Sequence, residues 1–190
     1  MHNTLEHRTA VELEQGLPAV LESPQDAGRL EAIVVRPASD ERRTLQSTRL
    51  TPDGGVEGDR WVTDKYGRLS DGRPDPRRQV SLMNSRFLRQ IAAGEDRICL
   101  AGDNLIVDFD LSDENLPTGS RLAIGKDVVI EVSDIPHTGC SKLQGRYGEE
   151  AKAFMNHKSR KSLHLRGRYA RIVHAGTIAV GDAVRKLSPS

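Results

Sequence analysis

The stretch "YARIVHAGTIAVGDAVRKL" (residues 169–187) decides the fold. Its Val- and Ile-rich runs are short, and the pairs Gly176-Thr177 and Gly181-Asp182 interrupt them. Short β-branched runs bounded by glycine turns are typical of strands in an antiparallel, all-β arrangement. This stretch therefore predicts two or three strands near the end of the chain.

Further strands and a few helices are predicted upstream. Strand-like runs occur in "LEAIVVRP" (30–37), "NLIVDFDL" (104–111) and "VVIEVSDI" (128–135), while "VSLMNSRFLRQIAAG" (80–94) and "YGEEAKAFMNH" (147–157) contain helical patterns. Regular strand–helix alternation, which would indicate a doubly wound sheet, is missing. About six short strands with frequent glycine turns predict a mostly β fold with peripheral helices (α+β), closed into a distorted β-barrel.

Two segments stand apart from this barrel pattern. Residues 1–29 carry a weak helical pattern broken at Gly16-Leu17-Pro18, and we interpret them as a peripheral N-terminal arm before a domain at 30–187. Residues 66–79 form a long polar stretch rich in arginine. A polar connection of this length is expected to be a mobile excursion or a lid.

Composition limits the possible partners. The 190 residues contain 28 Lys and Arg against 27 Asp and Glu, a net charge of +1. A general nucleic-acid binder would be more basic, so any anion site here must be local. No apolar run is long enough to cross a membrane, and glutamates lie where a secretion signal would need apolar residues. We therefore expect a soluble, cytoplasmic protein with neither nucleic acid nor membrane as partner.

Two cysteines, Cys99 and Cys140, lack the spacing of a zinc or redox pair, and a disulfide between them is not expected in a reducing compartment. Cys99, between Ile98 and Leu100, is predicted to lie in the core. Cys140 is different because Gly139, Lys142 and Arg146 surround it in sequence. Nearby cations would lower the pKa of a thiol that binds metal or carries sulfur, but a small buried side chain is equally compatible with this pattern.

Histidines near Cys140 offer several roles. His137 precedes the cysteine by three residues and could hydrogen-bond the thiolate, act as an acid, or cap a turn after Pro136. His157 and His164 have no ligand spacing with carboxylates and are predicted to be surface residues.

The basic stretch "HKSRKSLHLRGRYARIV" (157–173) has three interpretations: a solvated loop, an anion pocket, or an RNA patch. Arginine forks suit phosphate, and Gly167 beside Arg166 would let a ligand approach the backbone. Stacking aromatics are scarce, which disfavours RNA. Two Gly-Asp turns, in "EGDRW" (57–61) and "AGDNL" (101–105), either simply turn the chain or bring Arg60 and Asn104 to one mouth of a barrel.

Four blocks resemble, in order, the MOSC domain: "GVEGDRW" (55–61), "LAGDNLIVDFDLSDENLPTGSRLAIG" (100–125), "PHTGCSKLQGRYGEEAKAFMN" (136–156) and "LRGRYARIVHAGTIAVGDAV" (165–184). This module occurs at the carboxyl end of molybdenum-cofactor sulfurases and as stand-alone bacterial proteins. The resemblance runs from about residue 30 to residue 187, and its last two blocks are the specific ones. It implies a distorted barrel with helices packed outside.

The resemblance also implies a function. MOSC proteins bind the molybdenum cofactor or handle its sulfur, and the cysteine matched by Cys140 is the proposed metal ligand or sulfur carrier. Related enzymes reduce N-hydroxylated small molecules with electrons from a partner protein. On this basis we expect Cys140 and His137 to be catalytic, with His137 tuning the thiolate or donating a proton. The residues expected to bind the cofactor are Lys142, Arg166, Arg171, Arg60 and Asn104.

Two functions stay open under this resemblance. The first is a molybdenum-dependent oxidoreductase that depends on an electron-donor protein, because the chain has no ferredoxin-like cysteine set. The second is a sulfur carrier or cofactor-binding module without turnover of its own, which would work with a cysteine desulfurase. The pyridoxal-phosphate desulfurase of the fused sulfurases is a separate domain, so no pyridoxal phosphate is expected here.

Overall fold

Seven strands close into a mixed β-barrel in the computed structural model, which describes residues 7–188. The strands of the chain are β1 (Ala27–Val35), β2 (Arg43–Leu45), β3 (Ser47–Thr51), β4 (Gly55–Val56), β5 (Val80–Asn84), β6 (Leu105–Asp108), β7 (Arg121–Ile124), β8 (Val128–Val132), β9 (Arg168–His174), β10 (Gly176–Ala179) and β11 (Ala183–Lys186). The order β1-β6-β5-β9-β8-β7-β11 closes through pairing of β11 with β1. Only β5 and β6 are parallel within this ring. The predicted closed barrel is confirmed.

The carboxyl-terminal stretch supplies three strands, in agreement with its glycine turns. β9 and β11 belong to the barrel, whereas β10 leaves it and pairs with β3 in a small three-stranded sheet. β2 extends the barrel sheet by pairing with the carboxyl-terminal end of β1. Short strands separated by glycine thus allow the chain to change sheets between consecutive strands.

Helices cover one side of the barrel. They are α1 (Ala10–Leu21), α2 (Ser85–Ala92), α3 (Ser141–Tyr147) and α4 (Glu149–Asn156), with short 3-10 helices at Pro76–Arg78, Glu95–Ala101 and Lys158–Leu163. Asn84 caps α2 by accepting a hydrogen bond from the backbone N–H of Phe87. The helices pack outside the strands, as expected.

Two apolar clusters form the core. Inward-facing aliphatic residues of the strands, such as Leu30, Leu82 and Ile130, fill the barrel. A second cluster lies between the barrel wall and the helices and includes the fully buried Phe87 and Tyr147. The helices are therefore part of the core and can hold loops of the barrel in place.

The amino-terminal segment differs from the predicted arm in one respect. The predicted break at Gly16-Leu17-Pro18 is wrong, because α1 continues through Pro18 to Leu21. Pro18 cannot donate its backbone hydrogen bond within α1, but burial of Leu13 and Val20 favours the helical conformation. β1 also begins at residue 27, three residues before the predicted start. Among the described residues, no helix has the length and apolarity needed to cross a membrane.

Candidate functional site

A cavity of about 270 Å³ opens where the segments before β6 and β9 meet the chain that follows β1. Cationic side chains dominate its lining: Arg36, Arg42, Arg60, Arg78, Lys142, Arg146 and Arg166. The two carboxylates of the lining belong to Asp40 and Asp103. Such an excess of positive charge in a concave site favours an anionic ligand.

Cys140 lines this cavity and is exposed. It is the residue that precedes α3, and the chain from Ser133 to Cys140 has no regular secondary structure. Burial favours the neutral thiol, but the backbone N–H groups of Leu143 and Lys142 and the guanidinium of Arg166 favour the thiolate more strongly. The pKa of Cys140 is therefore lowered, and a buried core cysteine is excluded at this position.

Arg166 and Asp103 form a buried ion pair at the cavity wall. The Arg166 Nη1 atom donates a hydrogen bond of 2.5 Å to Asp103 Oδ2, and both side chains are at least nine-tenths buried. The Nε atom of Arg166 and the Oδ1 atom of Asp103 have no hydrogen-bond partner. Burial raises the pKa of Asp103, and the charges of Arg166 and Arg36 oppose that rise. The pair thus leaves one buried donor and one buried acceptor without a hydrogen-bond partner.

Gly167 does not serve the role expected from its sequence position. A Cβ atom there would lie 1.9 Å from the backbone oxygen of Leu82, and the residue has a φ of +104°. The glycine therefore allows close approach of β5, not of a ligand. This packing fixes the turn on which Arg166 lies.

His137 lies in the wall of the cavity with its side chain 7% exposed. Its ring packs on Tyr169 at a centroid distance of 4.2 Å, and its Nδ1 atom is 3.6 Å from Asp103 Oδ1. Burial and then the charges of Arg166, Arg36 and Arg78 keep the pKa of His137 well below its ordinary value. His137 is consequently neutral near pH 7, which disfavours the cationic acid among its expected roles.

Asn104 lies behind the cavity and does not line it. Its buried amide accepts hydrogen bonds from Arg36 and Ser81 and donates one of 3.0 Å to Asp59 Oδ2. Asp59 in turn accepts three hydrogen bonds from Arg36, two from the guanidinium at 2.9 and 3.0 Å and one from the backbone N–H at 2.9 Å. The two Gly-Asp turns do converge, but Asn104 positions Arg36 instead of facing a ligand.

Arg60 and Lys142 both line the cavity, and each has an acidic neighbour. Arg60 lies 3.1 Å from Asp64, and Lys142 lies 2.8 Å from the exposed carboxylate of Asp40. Arg146 lies 3.5 Å from the same Asp40 carboxylate. The rim of the cavity therefore already holds one carboxylate between two cations.

Arg171 lies outside the cavity, contrary to expectation. It projects from β9 two residues beyond Tyr169 and pairs with Glu131, its direct partner on β8, at 2.7 Å. Because a strand rises about 3.3 Å per residue, this side chain lies about 7 Å further along the sheet than that of Tyr169. Of the basic stretch 157–173, only Arg166 and Tyr169 reach the cavity.

Three other expectations concern residues away from the site. Cys99 is half-buried on a 3-10 helix and lines a separate cavity, so its predicted place in the core is wrong. His164 is only partly exposed because it binds Asp113 at 2.7 Å. His157 is exposed, as predicted.

Several cavity residues were not singled out as site residues by the sequence analysis: Arg36, Arg42, Arg78 and Tyr169. A usable signal existed for Arg36, which directly follows a strand, whereas Asp103 belongs to one of the two Gly-Asp turns already considered for the mouth of the barrel. Within residues 7–188, no three His, Cys, Asp or Glu side chains gather into a set that could hold a metal ion by themselves.

Comparison with known proteins identifies the fold and the domain. The family model "MOSC domain" matches residues 55–185. The structure is similar to the YuaD protein from Bacillus subtilis, with 20% identity, a TM-score of 0.60, and coverage of 86% of this chain and 97% of that one. It is also similar to YiiM from Escherichia coli (19% identity, TM-score 0.53, covering 85% and 71%) and from Geobacillus stearothermophilus (16%, 0.54, 85% and 75%). No curated protein matches the sequence.

Proposed function

The chain belongs to the MOSC domain family, and from that premise we propose that it binds the molybdenum cofactor in the cationic cavity, with Cys140 as a metal ligand. The observation that carries this proposal is the placement of an exposed thiol in one cavity with seven cationic side chains. A thiolate is a soft ligand, and arginines are suited to a phosphate.

The free hydrogen-bonding capacity of the cavity fits such a ligand. The buried Nε atoms of Arg42 and Arg166 have no partner, and unpaired buried donors are costly unless a ligand or water satisfies them. A phosphate could accept hydrogen bonds from these guanidinium groups. Arg60, Lys142 and Arg146 at the rim would offset its remaining charge.

The finer part of the proposal is a reductase of N-hydroxylated compounds that takes electrons from a partner protein. When bound, the cofactor would supply two-electron chemistry, while reduction of an N–OH bond to N–H also consumes two protons and releases water. His137 is neutral, so it would orient the substrate or stabilise the thiolate by donating a hydrogen bond from its ring N–H. The Asp103 carboxyl lies beside His137, and burial raises the pKa of this carboxyl.

Metal content and turnover test this proposal together. The protein is produced in a host that makes the cofactor, its molybdenum is quantified, and it is assayed with a simple N-hydroxylated base and a reduced viologen dye. We expect molybdenum near one atom per chain and turnover that Cys140→Ser abolishes. The matched variant Cys99→Ser should retain both, because Cys99 lines a different cavity. Metal-free protein from that host would contradict the proposal.

A sulfur carrier is the second candidate, and the lowered pKa of the exposed Cys140 thiol favours it. A Cys140 thiolate would attack the outer sulfur of a donor persulfide, forming Cys140–S–SH and releasing the donor thiolate. Incubation with a persulfide donor should then add the mass of one sulfur atom at Cys140. Such loading without reductase turnover would favour this function over the first.

A further inference from the structure

The segment that carries Cys140 depends on one side-chain amide for its position. Between Ser133 and Cys140 the chain forms neither helix nor strand. The Asn156 carboxamide binds both polar backbone groups of Gly139: its Oδ1 accepts from the Gly139 N–H at 2.9 Å, and its Nδ2 donates to the Gly139 oxygen at 3.0 Å. A paired contact of this kind fixes the peptide in both orientation and distance.

α4 places Asn156 rigidly for this contact. Asn156 is the last residue of that helix, and the preceding Phe154 and Met155 are buried in the second apolar cluster. Gly139 is itself tightly packed, since a Cβ atom there would lie 3.0 Å from the Met155 sulfur. The cysteine segment is therefore pressed against the end of α4 and held there by the amide.

Cys140 follows Gly139 directly, so the amide contact lies one residue from the sulfur. We propose that Asn156 is a positioning residue for Cys140, holding its segment on α4 so that the sulfur faces the cavity beside Arg166 and the first backbone N–H groups of α3. The proposal rests on the proposed role of Cys140 as the functional sulfur. Asn156 itself does not line the cavity.

The cationic cavity makes this positioning measurable without a cofactor. Cys140 lines the cavity together with Arg166 and six further cationic side chains. These cations should attract an anionic reagent toward a sulfur that is held among them, and the attraction falls with distance. Release of Gly139 would let the sulfur move away from these groups into solvent, and the preference for an anionic reagent should then weaken.

The test compares the rates at which Cys140 is alkylated by iodoacetate, which is anionic, and by iodoacetamide, which is neutral, at one pH in a Cys99→Ser background. Both reagents react with the same thiolate, so the ratio of the two rates reports the positive charge around the sulfur and not its ionisation. We expect Asn156→Ala to lower this ratio roughly two- to fivefold. Asn156→Leu, which keeps the side-chain volume but neither hydrogen-bonding group, should lower the ratio as well, and it serves if Asn156→Ala does not fold.

Asn115→Ala is the matched control. The Asn115 amide likewise makes two hydrogen bonds to the backbone, in its case to the oxygens of Gln25 and Asp110, but it lies in another cleft of the barrel. Its replacement should lower stability without changing the ratio of the two alkylation rates. An unchanged ratio in folded Asn156 variants, or an equal fall in Asn115→Ala, would overturn the proposal. Neither result bears on molybdenum content, so failure of the positioning role and failure of cofactor binding are distinguishable.

Discussion

The carboxylate of Asp103 and the guanidinium of Arg166 form a buried 2.5 Å ion pair in the wall of the cationic cavity. The two residues are far apart in sequence, one before β6 and the other before β9. Because each charge is buried, each depends on the other for compensation. The pair therefore links the stability of the barrel to the shape of the site.

Removing Arg166 should destabilise the fold as well as the site. Arg166→Met leaves the fully buried Asp103 carboxylate without its closest cation, and such a loss costs about 3–5 kcal/mol. Arg171→Met is the control, since Arg171 is nearly half exposed beside Glu131 and its loss should cost at most about 1 kcal/mol. Denaturant unfolding measures both. Equal losses would contradict the assignment of Arg166–Asp103 as the buried pair.

Replacement of Cys140 should leave the fold intact. The side chain is exposed at the start of α3, so Cys140→Ser should change the free energy of unfolding by no more than about 0.5 kcal/mol. The proposed function predicts that the same variant loses molybdenum and turnover, or persulfide loading. Thermal unfolding alongside metal analysis checks this. A large loss of stability with activity retained would identify Cys140 as a structural residue.

Acid should destabilise the protein in part through His137. Its pKa is depressed in the folded state below the value of 6.5, so below about pH 6.5 the unfolded chain binds a proton that the folded protein does not. The contribution of His137 to the free energy of unfolding is fully present above that pH. It declines as the pH falls toward the depressed pKa, by up to about 1.4 kcal/mol per pH unit.

Unfolding free energies of the wild type and His137→Gln at about pH 7.5 and pH 5.5 measure this effect. The variant should lose less stability across this interval by roughly 1 kcal/mol. His157→Gln is the control for the loss of an exposed histidine. Parallel profiles for the wild type and His137→Gln would refute a buried neutral imidazole.

Asp40 should compete with anions for the cavity rim. Its carboxylate lies between Lys142 and Arg146, and its backbone has a φ of +61°, which is unfavourable for a residue other than glycine. Asp40→Asn should strengthen binding of inorganic phosphate roughly two- to fivefold, in line with the modest energy of exposed ion pairs. Calorimetric titration measures the affinity for phosphate. Asp71→Asn is the control, because the Asp71 carboxylate pairs with Arg73 and does not line the cavity. Unchanged or weaker phosphate binding by Asp40→Asn would argue against this competition.

Local sequence patterns determined the architecture in outline. β-branched runs separated by glycine turns predicted a barrel. The strand β11, which closes the barrel by pairing with β1, lies within the stretch 169–187 that first indicated it, as does all of β9 except its first residue. Of the two interpretations that the sequence left open for Cys140, the structure agrees with a thiol beside cations, because Cys140 is exposed and Lys142 and Arg146 line the same cavity. These features depend on neighbours within a few residues of the sequence, so they can be predicted from the sequence alone.

Only the tertiary structure decided which charges meet. Arg166 turns into the cavity and binds Asp103, whereas Arg171, five positions later, lies beyond its edge opposite Glu131. Asn104 binds Arg36 and Asp59 behind the wall because three separate segments converge there. Burial and ion pairing are set by contacts between residues distant in sequence, and strand register places each side chain on one face or position of the sheet. Local propensity contains no information about the distances between residues that are far apart in sequence.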